Sequence, residues 1–373
     1  MSSPARKPPL WLRIGFAIFA AGVALGLAEI ALQILDIPSG GFSPWVRNEL
    51  TAYRYAPHLD TRLRRLPEYD VSFQTNADGL RDDPLGPAGR PRVLLLGDSF
   101  TSGYGVERGE SFADLAEREL GVDVVNAGVG GWELVHQAHY AREAIDRYDP
   151  TLVVYALYLG NDLALNGEWE VVGGSLRSLT KTFPLRPPVD LKLRALIRQA
   201  RYGLRERNAR EAGEWTPFPE YLGLTFKQLD EVGKARWELA RKWMGALDDA
   251  VAAAGRDLFV VTFPYRTAVE PAAGRDFFGQ SPDLVDTVDF KLAESRAHSM
   301  LVELGVDFAP LGPALRSVAE RVDNPLMYFP IDGHWNRRGH EVVAETLVPL
   351  VRARLSAIAA DRLRTPETAA VTH

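Results

Sequence analysis

Four short stretches of this chain carry residue types that do chemistry on carbonyl groups. A serine follows an apolar run in Gly97-Asp98-Ser99-Phe100-Thr101-Ser102-Gly103. Two further apolar runs end in Asn126-Ala127-Gly128-Val129-Gly130-Gly131-Trp132 and in Gly160-Asn161-Asp162. Near the C-terminus, Asp332-Gly333-His334-Trp335-Asn336 places a carboxylate two residues before an imidazole. A serine hydroxyl becomes nucleophilic at neutral pH when a base takes its proton, and histidine is suited to that role. A carboxylate beside the histidine holds its tautomer and stabilises its cation. Glycine amides and an asparagine side chain are donors for a developing oxyanion. Taken alone, Ser99 reads as a helix N-cap. The other three turns give it a base, an acid and an anion hole.

Better-known motifs do not fit. Thr101 breaks a G-x-S-x-G elbow, no Gly-Lys-Ser/Thr follows to make a phosphate loop, and Glu133 stands where G-x-G-x-x-G needs glycine. The chain has no cysteine, which excludes disulfides, thiolate metal sites, iron–sulfur clusters and a cysteine nucleophile. His136 and His139 lie three apart on one helical face, without a third metal ligand nearby in sequence. Asp98 and Asp162 read as turn residues that bind backbone amides, and His340 as a capping or packing residue. Trp132 and Trp335 flank the chemical turns and fit either the lining of an acyl or sugar pocket or the core.

The elements that must position these turns follow from periodicity. Continuous apolar runs at 93–96, 122–125, 152–157 and 258–262, with a shorter one at 306–308, predict buried strands. Helical stretches at 111–120, 132–147, 225–254 and 337–355 alternate with them, which predicts an α/β fold with a parallel sheet covered on both faces. An alternating stretch at 69–75 predicts a strand running into the turn Asn76-Ala77-Asp78-Gly79. The 373 residues are 46% hydrophobic and 25% charged, an ordinary globular composition, and the net charge of −6 argues against nucleic-acid binding.

Taken together, the four turns resemble the SGNH (GDSL-type) hydrolase family of serine esterases. Gly97-Asp98-Ser99-Phe100 is similar to its nucleophile block, Gly131 to its oxyanion glycine, Gly160-Asn161-Asp162 to its asparagine block, and Asp332 with His334 to its acid and base. The resemblance covers about 92–355 and implies a three-layer α/β/α flavodoxin-like sheet of strand order 2-1-3-4-5. It also implies Ser99, His334 and Asp332 as catalytic residues, the Ser99 and Gly131 amides with Asn161 as the oxyanion hole, and no metal or organic cofactor. The family's common spacing sets the acid three residues before the histidine. Asp332 stands two before, which leaves Asp323 or a serine–histidine dyad as alternatives and predicts a graded loss on mutating Asp332. Asn76-Ala-Asp-Gly-Leu-Arg-Asp82 resembles a lead-in of membrane-anchored members.

Residues 14–35 are apolar apart from Glu29 and Gln33 and span ~33 Å as a helix, enough to cross a bilayer. Arg6, Lys7 and Arg13 precede them and predict a cytoplasmic N-terminus with the rest outside. A signal peptide ending near Ala28 is the rival reading. The expected organisation is an anchor over 1–37, a membrane-proximal segment over 38–90, a hydrolase domain over 91–357 and a tail over 358–373. An insertion over 163–224 reads as a lid; within it, 177–210 carries ten basic residues against Asp190 and Glu206. The expectation is a single-pass protein of the inner membrane with a periplasmic or external serine esterase acting on an acyl ester of an envelope glycan or lipid. Its partners would then be that substrate and the membrane. An O-acyltransferase of the same fold and a catalytically silent assembly protein are the alternatives.

Overall fold

The structure is a computed structural model that describes residues 9–35, 44–87, 89–164, 169–178, 191–194, 196–197, 200–201, 204, 223–321 and 326–364. The chain forms two compact units, Met1–Ser43 with Arg186–Trp215, and Pro44–Leu185 with Thr216–His373. In the first, helix α1 (Leu10–Ile34) has no buried residue and is long and apolar enough to cross a membrane. The Glu29 carboxylate on it accepts the backbone N–H groups of Lys192 and Leu193, each at 2.8 Å.

The second unit begins with two antiparallel pairs. Strand β1 (Trp45–Asn48) pairs with β2 (Ala52–Tyr55), and β3 (Asp60–Arg65) with β4 (Tyr69–Gln74). The sheet follows, built from β5 (Arg92–Leu96), β6 (Asp123–Asn126), β7 (Leu152–Tyr158), β10 (Asp257–Phe263) and β11 (Asp307–Pro310). Their order is β11-β10-β7-β5-β6, all parallel, which is the expected 2-1-3-4-5. Continuous apolar runs suit these strands because helices cover both sides. Every residue of β5 is buried, and alternate residues serve opposite faces.

On one face α2 (Phe112–Leu120) packs against the long C-terminal α10 (Arg337–Arg364). On the other α3 (Leu134–Tyr148) packs against α5 (Glu231–Ala253). Ser111 caps α2 by accepting the Asp114 amide, and Gly121 ends it in the left-handed conformation. Val93, Leu95, Val154, Val261 and Leu347 belong to one core cluster. Full burial of each such side chain contributes about 1.5–3 kcal/mol.

The remaining elements were less visible in the sequence. A short helix α4 (Asn161–Ala164) follows β7, and β8 (Trp169–Val172) with β9 (Ser175–Ser178) form a hairpin inside the insertion. After β10 come α6 (Arg266–Val269), α7 (Pro271–Gln280) and α8 (Lys291–Leu304), and α9 (Gly312–Ala319) follows β11. Helix α10 continues to Arg364, past the expected end near Leu355. Residues 44–90 pack within the same unit as the sheet instead of standing as a separate segment. The side chains of β1–β4 reach into the loops of the sheet. Most of the basic stretch over 177–210, and Asp323, lie outside the described residues.

Candidate active site

The chemical turns converge because all but the last follow the carboxyl ends of parallel strands, where an open α/β sheet leaves a crevice. Ser99 follows β5, Gly131 follows β6, Asn161 follows β7, and Asp332 with His334 lies in the loop before α10. His334 Nε2 is 2.7 Å from Ser99 Oγ. On the far side of the ring, His334 Nδ1 is in short hydrogen-bond contact with Asp332 Oδ1. A spacing of two residues is therefore enough to bring this carboxylate and this imidazole into contact.

Burial alone would raise the Asp332 carboxyl. The His334 charge, hydrogen bonds from His334 and Tyr69, and nearby Arg65 more than offset it and hold Asp332 down at about 2. The imidazole packs against the rings of Phe100 and Tyr104, with centroids 4.8 and 4.9 Å away. These rings fix its plane while Ser99 stays half-buried.

Two backbone donors in these turns have no competing bond. Among the described residues, neither the Ser99 N–H nor the Gly131 N–H has an acceptor. Gly131 has φ +81°, a conformation that disfavours a side chain. A Cβ on Gly130 would lie 3.7 Å from the Ser99 Cβ, which places this loop directly against Ser99. The third predicted donor, Asn161, is buried in the same cluster, and its Nδ2 donates to the Trp132 carbonyl at 3.2 Å.

Asp98 accepts the Phe100 amide within its turn, as the turn reading expected. Burial pushes it up to about 6, against the lowering influence of His334 and of hydrogen bonds from Phe100 and Asn161. Asp162 accepts from the Tyr155 hydroxyl and the Tyr158 amide, and its burial raises it well above the usual carboxylate range.

Trp132 and Trp335 do not line an open pocket, being 1% and 0% exposed. Trp132 Nε1 donates to the Tyr53 carbonyl, and Trp335 packs on Phe100, Phe112 and Phe263. Each supports a chemical turn from behind, because the flat indole fills the space between loop and helix. His136 caps the start of α3 by accepting the Glu133 amide, and His340 accepts the Phe112 amide at the start of α2. Burial lowers both histidines to about 3. No cluster that could hold a metal ion occurs among the described residues.

Several residues that shape the site were not singled out in the sequence. Arg81, 1% exposed, donates to the carbonyls of Ser72, Ser102, Gly103 and Val106 and so fixes the loop after Ser99. The stretch Asn76–Asp82 contained its signal. Trp45, Tyr53, Tyr55, Arg65, Glu68 and Tyr69 had none, since aromatic and charged residues in short strands are common.

The GDSL-like lipase/acylhydrolase family matches residues 95–285, just over half of the chain. A second family, the SGNH hydrolase-like domain of the acetyltransferase AlgX, matches residues 225–373. No curated protein matches the chain in sequence. Similar solved structures include LAE5, an α/β hydrolase from the metagenome of Lake Arreo, Spain. It is 14% identical over 72% of this chain and 98% of that one, with a TM-score of 0.40. The acetyl xylan esterase AlAXEase is 12% identical over 70% and 99%, with a TM-score of 0.40. A catalytic mutant of the acetylxylan esterase Axe2 from Geobacillus stearothermophilus is 13% identical over 71% and 95%, with a TM-score of 0.38.

Proposed function

The chain belongs to the GDSL-like lipase/acylhydrolase family, and we propose that it is an extracytoplasmic serine esterase that removes an acyl group, such as acetyl, from an envelope glycan or lipid. The observation that carries the reading is the unbroken hydrogen-bond path from Ser99 through His334 to Asp332. His334 Nε2 takes the Ser99 proton as Oγ attacks the ester carbonyl. The carbonyl oxygen becomes an oxyanion and accepts from the Ser99 and Gly131 amides, and Asn161 becomes the third donor by exchanging its bond to the Trp132 carbonyl for one to the oxyanion. Each such donor is worth about 3–4 kcal/mol in the transition state. Collapse breaks the ester bond, and His334 returns the proton to the departing alkoxide. Water, deprotonated by His334, then attacks the acyl-enzyme; the Ser99 Oγ–acyl bond breaks, His334 returns the proton to Oγ, and the acid leaves.

Helix α1 supports a membrane anchor by length and composition, with its basic flank on the cytoplasmic side. The match of residues 225–373 to the AlgX acetyltransferase domain favours a second reading, in which a sugar hydroxyl replaces water. A silent assembly protein would have no use for a closed Ser–His–Asp path.

The test uses the full chain in detergent with a Ser99→Ala control. Fluorophosphonate labelling at Ser99 and turnover of p-nitrophenyl acetate, both lost in the variant, are the expected results. A folded wild-type protein that neither labels nor turns over rejects the reading. Adding a sugar acceptor separates the two forms, because a transferase raises acylated sugar at the expense of free acid.

A further inference from the structure

Residues of β1 to β4 make hydrogen bonds to the backbone that the site depends on. Tyr55, fully buried, accepts the Gly130 N–H at 2.6 Å and shares a hydrogen bond of 3.1 Å with Ser102 Oγ. Ser102 Oγ donates in turn to the Ser99 carbonyl at 3.0 Å, so the phenol is the donor in the Tyr55–Ser102 pair. One hydroxyl therefore ties the glycine loop to the nucleophile turn. The Gly130 carbonyl, which shares a peptide plane with the Gly131 N–H, accepts from Trp45 Nε1 at 3.0 Å. Pinning that oxygen fixes the direction of the amide on the same rigid plane. Tyr53 holds the next carbonyl, donating to Gly131 O at 2.5 Å.

The β3–β4 hairpin grips the opposite end of the relay. Tyr69 donates its hydroxyl to Asp332 Oδ2 at 2.9 Å, and Arg65 Nε lies 3.6 Å from the same oxygen. The Glu68 carboxylate accepts the amides of Ile331 at 2.6 Å and Asp332 at 2.8 Å. Glu68 thus fixes the backbone of the acid while Tyr69 fixes its side chain.

We propose that Tyr55 and Tyr69 are positioning residues for acyl transfer, Tyr55 setting the distance between the oxyanion amides and Ser99, and Tyr69 holding Asp332 against His334. The inference rests on the serine-esterase reading of the site. It assigns residues 44–75 to the working part of the enzyme. Oxyanion donors act only where they already point at the developing charge, so a loop freed to rotate loses rate without losing ground-state binding. The groups facing Asp332 are His334 on its own loop, Arg65, Glu68 and Tyr69 from the hairpin, and Tyr104 beside His334. Removing the Tyr69 hydroxyl leaves more of the carboxylate charge to His334, which favours the imidazolium.

The experiment compares full-chain wild type in detergent with Tyr55→Phe, Tyr69→Phe and, as a control, Tyr140→Phe. Tyr140 is also buried, and among the described residues its hydroxyl bonds to that of Tyr148. Turnover of p-nitrophenyl acetate across pH, fluorophosphonate labelling and thermal midpoints are measured on each. Tyr55→Phe should lower kcat about tenfold, less than loss of a donor itself, with KM within about twofold and an unmoved pH profile. Tyr69→Phe should lower kcat and also move the acid limb of the profile to higher pH. Tyr140→Phe should match wild type in rate. An active wild type with unchanged kcat in both site variants overturns this inference alone. A loss of rate that only follows a lowered thermal midpoint, with no upward shift of the limb, also overturns it. A wild type that neither labels nor turns over removes the esterase reading, and this inference with it.

Discussion

Strands β5, β7 and β10 hold their side chains by burial, whereas β1 to β4 act through named polar groups. Leu94, Leu96, Val153, Val260 and Val261 are all at most 1% exposed, and any apolar residue of similar shape would serve there nearly as well. In the antiparallel segment, Trp45, Tyr53 and Tyr69 each direct one polar atom at one carbonyl or carboxylate oxygen, while Tyr55 and Glu68 each hold two groups. The sheet therefore delivers the chemical turns to a common edge, and the segment sets their geometry there. Exchanging a leucine in the first region costs stability; removing a hydroxyl from the second costs alignment. A rigid scaffold and a precise site thus have different tolerances to mutation.

The predictions that sharpen this contrast run from large effects to small. Ser99→Ala should reduce turnover by about 10⁴-fold or more while leaving the thermal midpoint near that of wild type. A midpoint that fell sharply would show the serine to be a structural cap. Next, Arg81→Met should cost about 3–5 kcal/mol in denaturant unfolding, because four carbonyls lose a buried donor. Burial lowers the Arg81 guanidinium only to about 10, so it stays charged at neutral pH. A cost below that of a single surface hydrogen bond would mean that the loop after Ser99 holds itself.

Asp82 gives a pH-dependent case. Burial, with Glu117 and Asp114 nearby, raises it from an ordinary 3.8 to about 7, despite hydrogen bonds from the Asn126 and Asp83 amides. The folded state then binds a proton between pH 4 and 7 that the unfolded chain does not. The ionised group is thus destabilising above pH 7. Asp82→Asn should stabilise the protein at pH 8 by up to about 4 kcal/mol, and the gain should fade as pH drops toward 4. Unfolding curves at the two pH values check both sign and window. At the small end, Arg241→Ala removes an exposed pair with Glu303 and should change stability by less than about 1 kcal/mol. It is the baseline against which the site and segment variants are judged.

The strand order, the two helix layers and the positions of Ser99, Gly131, Asn161, Asp332 and His334 at loop ends could all be read along the chain. Apolar runs of strand length alternating with amphipathic helices leave few ways to fold, and turns after parallel strands share one edge. The closeness of Asp332 to His334 could not be read, since a two-residue spacing permits contact without requiring it. Nor could the burial of Trp132 and Trp335, because a tryptophan beside a glycine turn suits a pocket as well as a core.

Periodicity and motif order are local properties of the chain, and they set the architecture and the loops on which Ser99, Gly131, Asn161, Asp332 and His334 stand. That Tyr55 meets Gly130 and Ser102, that Tyr69 meets Asp332, and that Arg81 gathers four carbonyls follows from the folded chain alone. Those contacts join residues separated by 75, 47 and 263 positions in the case of the two tyrosines. Their strength depends on tenths of an ångström and on bond direction, and neither is written in residue type or spacing.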